Sequence, residues 1–463
     1  MTHRSVASFI GACVLAVGVA LPQAPVLAAM PAQTVAQASA PAASTLTLAA
    51  ALQEAQTHNP QVAAAQQVVV AAQQNITVAR AGLAPSLTAN GTGAYGTSSA
   101  TSFSTTSGVA VPLQTVTGTG TLSVSASLPL YDSGRTRANV ASAEAALASA
   151  QAVLRKTTND NALAVATAFY SVLQAQRLTT VQQAVLAQAQ AQLALAQGRF
   201  RAGVAAQSDV IQAQSQVAQA QVTLLQAQSQ IATSKANLQT AIGVDASTPV
   251  EVQAPPSPSL AVGGSGAAAM QAAETNRPEV TQAQASVATD QAALDLARIN
   301  AGLVATVGVG ATYTPLSTSP ILNNAVSYGV SGTLSLPIYD SGKGHAEIAA
   351  AQATLNSAQA QLAAARLTVR QDAYQAYLAA VQGAANVTAT EAAQAAAEEA
   401  LRVTEGRYRA GVGTIVEVIT AQATAAQAEV NAANAVYTYQ SALATLQHAQ
   451  GIPIQAGTLG GGQ

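Results

Sequence analysis

Two motifs occur twice in this chain of 463 residues, and the two copies of each motif lie 208 residues apart. The segment at 128–135 reads LPLYDSGR and returns at 336–343 as LPIYDSGK. The segment at 199–204 reads RFRAGV and returns at 407–412 as RYRAGV. Because the offset is the same for both motifs, the sequence between them has the same length in the two copies. This pattern predicts two copies of one long supersecondary unit.

A third pair of residues locates a difference between the copies. Arg80 and Arg298 lie 218 residues apart, so the first copy is ten residues longer between this landmark and the first motif. The extra residues predict a longer loop in the first copy.

The N-terminus has the pattern of a secretory signal peptide, which we place at 1–29. Basic residues at its start precede an apolar run at 6–21, and small residues suited to cleavage follow. The alternative is a transmembrane helix, but the run is shorter than the ~18–20 apolar residues that a span needs. Cys13 lies inside this run, and its context resembles a lipoprotein signal only weakly.

Charged residues make up only 8% of the chain, far below the usual ~25%. Lys and Arg total 18 and Asp and Glu total 20, a balance that argues against nucleic acid as a partner. The single cysteine would leave with the signal peptide, which excludes disulfide chemistry. No other apolar run is long enough for a membrane helix, so the mature chain would enter a membrane as β-strands.

Residues 121–128 alternate between apolar and hydroxyl side chains, and residues 327–336 do much the same. A period of two is typical of a strand with one apolar and one wetted face. The apolar positions are Leu122, Val124, Ala126 and Leu128 in the first copy and Tyr328, Val330, Leu334 and Leu336 in the second.

Each of these strands has an upstream partner, which predicts β-hairpins at about 86–128 and 303–337. Strands of this length and pattern match those of transmembrane barrels, although an ordinary soluble hairpin is the alternative. Four strands cannot close a barrel, because about eight are needed. Three chains would supply twelve.

The sequence also predicts unusually long helices. Between 132 and 197 the only Gly or Pro is Gly134, so a helix of about 64 residues and ~95 Å is expected. The chain turns at Gly203 and a second helix is expected at 206–242. Apolar residues recur every seven positions, which indicates a coiled-coil seam. They are Val210, Val217, Leu224, Ile231 and Leu238, and in the second copy Ile348, Leu355, Leu362 and Val369.

The lengths predict how these helices stack. A helix at 60–81 together with the returning helix nearly equals the long helix, so each half presents one long helix beside two shorter ones. Alanine and glutamine fill the surfaces, which favours a wall of helices over a simple dimeric coiled coil, whose partner-facing charges are scarce here. The predicted domains are a first repeat at 45–248, a linker at 249–266, a second repeat at 267–453 and a flexible tail at 454–463.

Motifs for catalysis fail on their context. Residues 91–96 match the pattern GxGxxG, but a strand and a hydroxyl-rich segment follow where a helix should begin. The four histidines are scattered without metal-ligand spacing, and no nucleophile, base and acid cluster together. We therefore expect no enzymatic activity, metal or cofactor.

Together these features resemble the TolC-type outer-membrane efflux protein family. The resemblance covers about 46–453 and rests on the order, spacing and duplication of both motifs, and on Asn59-Pro60 near the start. It implies an α+β membrane protein that forms a homotrimer. A twelve-stranded β-barrel in the lipid of the cell outer membrane would continue as a long α-helical barrel in the periplasm.

The resemblance also implies a function, which is passive conduction. The duct would carry substrates from an inner-membrane pump and a periplasmic adaptor protein to the exterior. Drug efflux, metal efflux and type I protein secretion all use such a duct, so the resemblance implies the duct and not its cargo. The alternative is a structural periplasmic coiled coil or surface adhesin without a lumen, which has no need of alternating strands.

Site residues follow from the family's motif positions. Asp209 and Tyr408 resemble the pair that ties neighbouring coils shut at the periplasmic gate, and Glu417 resembles an acidic ring residue at the constriction. Gly413 stands where the best-known member has a basic link residue, and Thr420 stands where it has a second acidic residue. These departures imply a looser closed state and weaker cation selection.

The duplicated RxRAGV motif would form the tip that docks the adaptor. For its arginines and for Asp209, the alternative is a charge that complements a helix dipole. The tip residues are Arg199, Arg201, Gly203 and Val204 in the first copy and Arg407, Arg409, Gly411 and Val412 in the second.

Overall fold

The predicted signal peptide at 1–29 lies outside the residues that the structure describes, and so does the predicted tail except for Ile454. The computed structural model describes residues 45–103, 110–255, 259–300, 302–317 and 325–454. Within them the elements are β1 (Thr45–Leu46), α1 (Leu48–His58), α2 (Pro60–Arg80), a 3₁₀ turn (Ala81–Leu83), β2 (Ser86–Phe103), β3 (Ala110–Tyr131), α3 (Arg135–Arg201), α4 (Gln207–Ile242), β4 (Glu251–Val252), α5 (Gly266–Asn276), α6 (Pro278–Ile299), β5 (Val304–Ser317), β6 (Ala325–Ser335), α7 (Lys343–Arg409) and α8 (Ile415–Ala449).

The protein is mostly helical, and its helices form four neighbouring columns. The two longest helices, α3 and α7, have 67 residues each. Helices α2 and α4 pack along one side of α3, whereas α6 and α8 pack along its other side and against α7. Two shorter helices thus lie beside each long one, as the lengths predicted. In the described part of the chain, no helix is long and apolar enough to cross a lipid bilayer.

Small residues set the spacing of the columns. Ala138, Ala145 and Ala152 of α3 are buried at intervals of seven. On α4 the buried positions include Ala213 and Ala220, whereas the predicted seam residue Val217 between them is only partly buried. The seam of α4 therefore contains the predicted apolar residues and also Ala213 and Ala220, which lie three residues after Val210 and Val217. Because alanine is small, neighbouring helices approach closely.

The largest hydrophobic core lies where α1 packs on α3 and α4. Phe169, Leu238 and Ile242 are fully buried there. The ring of Phe169 also meets the edge of the Tyr170 ring, with 5.9 Å between their centroids. This core fixes the long helix in place at one level along its length.

Glycines follow α4 and α8 at the points where two shorter helices of one column meet end to end. Gly243 closes α4 with a φ of 92°, and Gly451 follows α8 with a φ of 70°. A Cβ on Gly243 would lie 2.7 Å from the Cα of Asn59. Asn59 in turn donates from Nδ2 to Asn161 Oδ1 at 2.8 Å and to the carbonyl of Ala241 at 3.0 Å. The end of α4 is therefore joined to α3 and to the start of α2.

The corresponding junction in the second copy uses charges. Arg277 donates to both carboxylate oxygens of Glu279 at 2.9 Å, and it lies 3.8 Å from Asp372 of α7. Nearby, His448 of α8 lies 2.8 Å from Asp160 of α3. These contacts join α6 to α7 and α3 to α8 at the level where the first copy uses neutral amides.

The hairpins combine into one antiparallel sheet with the order β2-β3-β5-β6. In the register, Val124 of β3 pairs with Ala89 of β2 and Ala311 of β5. Since directly paired residues share a face, the predicted apolar positions form continuous rows across the sheet. On the opposite face the hydroxyl groups of Thr88 and Ser125 lie 2.8 Å apart. Strands β2 and β6 form the two edges of this sheet.

The duplicated LPxYDSG motif turns the chain from strand to helix. Ser133 and Gly134 both have a positive φ, at 56° and 93°. The carboxylate of Asp132 accepts hydrogen bonds from the backbone N–H of Gly134 at 3.0 Å and of Thr136 at 2.7 Å. Asp340 accepts the same pair of bonds at the start of α7. The carboxylate therefore satisfies free N–H groups of the first helical turn.

Part of the segment that we predicted as a linker is ordered secondary structure. Its strand β4 pairs in parallel with β1, with Thr45 opposite Glu251. Lys235 of α4 binds Glu251 with 2.8 Å between the charged groups. Further along, the carbonyl of Ser259 accepts a hydrogen bond from the hydroxyl of the buried Tyr439 at 2.8 Å. The described parts of 249–266 are thus anchored to the helices.

Candidate functional site at the helix-hairpin tips

The RxRAGV motif ends each long helix in a Schellman turn. At the first tip, Gly203 N–H donates to the carbonyl of Phe200 and Val204 N–H donates to that of Arg199, both at 3.0 Å. This pair of bonds needs a left-handed residue, and Gly203 has a φ of 73°. Equivalent bonds at the second tip join Gly411 to Tyr408 and Val412 to Arg407. The motif is thus explained first by the local geometry of a helix end.

The turns expose apolar side chains between charged ones. Val204 and Val412, the residues that follow the glycines, are 66% and 69% exposed. The second arginine of each motif reaches back along its own helix. Arg201 donates to the carbonyl of Gln197 at 3.4 Å, and Arg409 lies 3.1 Å from Glu405. Each tip therefore presents one exposed valine beside a positively charged helix end.

The first arginine of the first motif crosses between the two tips. The guanidinium carbon of Arg199 lies 4.4 Å from the ring centroid of Tyr408, which is a cation–π contact. The same guanidinium donates from Nη1 to the carbonyl of Tyr408 at 3.0 Å. One side chain thus joins the last turn of α3 to the last turn of α7.

Tyr408 is 4% exposed and packs against Ile415 and Val418 of α8. Its hydroxyl is buried without a hydrogen-bond partner among the described residues. A Cβ on Gly413 would lie 3.1 Å from the backbone nitrogen of Tyr408. The close approach explains why glycine suits this position, since any side chain there must displace the Arg407–Tyr408 backbone.

The structure places Asp209 in the first turn of α4, where it complements the helix dipole. Its carboxylate accepts a hydrogen bond from the hydroxyl of Ser208 at 3.4 Å. Within the described residues of a single chain, Asp209 and Tyr408 share no hydrogen bond. The predicted pair is therefore not formed inside one chain.

Glu417 lies in the first turn of α8. Its backbone N–H donates to the hydroxyl of Thr414, which caps the helix, at 3.2 Å. Its carboxylate lies 3.7 Å from Arg407, and both side chains are about half exposed. Thr420 lines the same groove between α7 and α8, whose volume is about 450 Å³. The groove therefore contains one acidic group, one basic group and the neutral residue that departs from the family pattern.

Sequence reasoning missed the contact between Arg199 and Tyr408. The two residues are 209 positions apart, and the motif places both at ordinary helix ends. The only signal was the difference between the copies, since Phe200 stands where the second copy has Tyr408. Among the described residues, no cluster of His, Cys, Asp and Glu could hold a metal ion.

Comparison with known proteins assigns the chain to a family. Residues 51–244 and 269–451 match the family model of the outer membrane efflux proteins. The chain belongs to the outer membrane efflux protein family. Outer membrane efflux protein BepC of Brucella suis is 24% identical to it over 384 residues, which cover 81% of this chain and 79% of BepC.

Solved structures share the fold of this efflux protein. A membrane protein from Pseudomonas aeruginosa has a TM-score of 0.73 and 21% identity, and the match covers 87% of this chain and 93% of that one. The outer membrane protein VceC of Vibrio cholerae has a TM-score of 0.70 and 20% identity, with 88% and 97% covered. The protein is located in the outer membrane and extends into the periplasm. It serves as an exit duct in an efflux system.

Proposed function

We propose that three copies of this chain form the outer-membrane duct of a tripartite efflux or secretion system, through which substrates pass passively. The observation that supports this proposal is a pair of open edges. Strands β2 and β6 end the sheet, and the column of α2 and α4 and the helix α7 end the helical layer. Among the described residues, the same two ends of the repeat lack a neighbouring strand or long helix in both layers, although the short helix α5 packs on part of α7.

The outer side of α7 has the pattern of an interface. Leu367, Tyr374, Leu378 and Val381 are exposed, and their spacings of seven, four and three residues match one coiled-coil seam. On the opposite end of the layer, Val222 and Leu225 of α4 are also exposed. A ring of identical chains would cover both exposed sets.

The two edges of the sheet also need a neighbouring chain. Unpaired strand edges are costly in lipid, because no water satisfies their N–H and C=O groups. Pairing β6 of one chain with β2 of the next removes every edge. Two chains would supply only the ~8 strands of the smallest barrels, whereas three supply the twelve that the family resemblance implies.

The tips would contact the remaining components. We assign the exposed valines and the arginines of both RxRAGV turns to docking of the periplasmic adaptor, which connects the duct to the inner-membrane pump. Asp209, Tyr408 and Glu417 lie beside these turns and are assigned to the periplasmic gate. The chain needs no energy source of its own in this arrangement. The GxGxxG pattern at 91–96 lies within strand β2 and not at a helix N-terminus, the position at which such a pattern holds a nucleotide phosphate.

A matched pair of substitutions tests the duct. Val330 lies on the apolar face of β6, and Ser331 lies next to it on the hydroxyl face. Val330→Arg should block assembly, because a charge at mid-bilayer costs ~2–4 kcal/mol per strand position and occurs in every chain. Ser331→Arg should assemble and change the conductance. Light scattering in detergent and recordings in planar bilayers measure the two effects.

The wild-type protein should have the mass of three chains in detergent. A monomer with its full strand content would refute the barrel and favour a structural coiled coil or adhesin. Equal behaviour of the two arginine variants would refute the assignment of the two faces.

A further inference from the structure

We propose that Arg199 is the residue that holds the periplasmic gate closed within each chain, and that it does so through the ring of Tyr408 and not through the tyrosine hydroxyl. This inference rests on the proposed duct and identifies a gate residue that its motif positions did not include. It follows from the contacts of a single side chain that joins the tips of the two helical hairpins.

Two described side-chain contacts join α3 to α7 near the tips. One is a hydrogen bond from Gln188 Nε2 to Glu405 Oε1 at 3.2 Å, and the other, made by Arg199, joins the last turns of the two helices. Arg199 belongs to the α3–α4 hairpin and Tyr408 to the α7–α8 hairpin, and the guanidinium contacts both the ring and the carbonyl of the tyrosine. That carbonyl also accepts the Gly411 N–H of the Schellman turn. The guanidinium is thus fixed on the helix end itself, so separating the hairpins must break both contacts.

The alternative links are absent or point elsewhere in the described chain. Asp209 bonds with Ser208 in its own helix turn. Gly413 carries no side chain and is pressed against the backbone of Tyr408. Arg407, the counterpart of Arg199 in the second motif, pairs with Glu417, and Phe200, the counterpart of Tyr408, is half exposed. Among the described residues, the cation–π contact between the last turns of α3 and α7 is therefore made once per chain.

The buried hydroxyl of Tyr408 contributes no bond to the closed arrangement. It has lost its water and has gained no partner among the described residues, which is unfavourable. The ring packs on Ile415 and Val418 of its own hairpin and carries the contact with Arg199. The ring and not the hydroxyl therefore joins the two hairpins.

Conductance of the purified trimer in planar bilayers tests whether the ring or the hydroxyl of Tyr408 holds the gate. Arg199→Gln removes the cation and the planar stack, and should raise the open fraction about tenfold, the factor expected for a partly desolvated cation–π contact. Tyr408→Phe keeps the ring and should leave conductance unchanged or lower it. Arg402→Gln is the matched control, because Arg402 forms an exposed ion pair with Glu399 on its own helix and lies outside both assigned sites.

The Phe variant decides between the two kinds of link. If the hydroxyl were the bonding group, Tyr408→Phe would open the channel as Arg199→Gln does, and our proposal would be wrong. It would also be wrong if Arg199→Gln conducted like the wild type. If Arg199→Gln does not assemble, Arg199→Lys provides the readout, since it keeps the charge without the flat guanidinium and should open the assembled trimer to a smaller extent.

The controls separate this inference from the proposed function. A wild-type protein that forms no conducting trimer would refute the duct itself. A conducting wild type with no effect at position 199 would refute only the role of Arg199. Retention of the trimer in detergent shows in each variant that the substitution acted on the gate and not on folding.

Discussion

One carboxylate organises each turn from strand to helix. Burial acts to raise the pKa of Asp132, but hydrogen bonds from Thr136 and Gly134 outweigh it and lower the pKa below the ordinary 3.8. The folded state thus binds a proton less readily than the unfolded chain. The stabilisation by Asp132 is complete above the ordinary pKa and is lost as the pH falls through the lower folded-state pKa.

We predict that Asp132→Ala lowers the free energy of unfolding by about 0.5–2 kcal/mol at neutral pH, the usual effect of removing a helix cap. The midpoint of chemical denaturation, followed by circular dichroism, measures this loss. The difference from the wild type should shrink in acid, below the folded-state pKa.

Asp295→Ala is the control for this prediction. Asp295 forms an exposed ion pair with Arg298, a kind of pair worth ~0–1 kcal/mol, and accepts an exposed hydrogen bond from Gln291 of its own helix. An equal loss of stability in both variants would contradict the capping role of Asp132.

At the scale of the elements, helix ends decide how the columns stack. Both Gly203 and Gly243 have a positive φ after a helix, so both allow a turn that other residues disfavour. They differ in their surroundings. A Cβ at Gly203 meets nothing within 4 Å, whereas one at Gly243 meets the backbone of His58 and Asn59 at under 3.0 Å.

This contrast predicts different costs for the same substitution. Gly203→Ala should lose about 1–2 kcal/mol through the left-handed backbone alone. Gly243→Ala should lose a further ~1–3 kcal/mol, because it also forces the junction of α1 and α2 apart. Denaturation midpoints of the two variants give the difference. Equal midpoints would mean that the ends of α4 and α2 do not press on each other.

At the scale of the whole molecule, the four-stranded sheet carries no charged side chains. Residues 86–131 and 304–339 contain no Asp, Glu, Lys, Arg or His. A barrel built from them would line its lumen with hydroxyl groups and glycine, and would not separate ions by sign. Ion selectivity must then arise in the helical part of the duct.

Glu417 is the residue that we expect to carry this selectivity. Three copies near the axis of a trimer would attract cations, so Glu417→Ala should weaken cation selectivity and the block by trivalent cations in planar bilayers. Glu399→Ala removes the same charge from an exposed pair with Arg402 on α7 and should change neither. Unchanged selectivity in Glu417→Ala would place the constriction elsewhere.

Features that depend on neighbours along the chain were accessible from the sequence. The alternation at 121–128 predicted the strand, because successive side chains of a strand point to opposite faces. The absence of Gly and Pro from 135–197 predicted the long helix, and Gly203 predicted its end. Each follows from local stereochemistry, and the duplication of both motifs showed that it occurs twice.

Features that join distant residues were decided only by the tertiary structure. The pairing of β1 with β4, the bond between Asn59 and Asn161, and the position of Arg199 over Tyr408 bring together residues that are 100 to 210 positions apart. The sequence by itself determined the long helices, the turns that end them and the core of each hairpin strand, because these depend on backbone preferences within a few residues. Which side chains meet across the columns depends on how complete helices pack. The core and the helix junctions decide that packing, because they place each column against its neighbours.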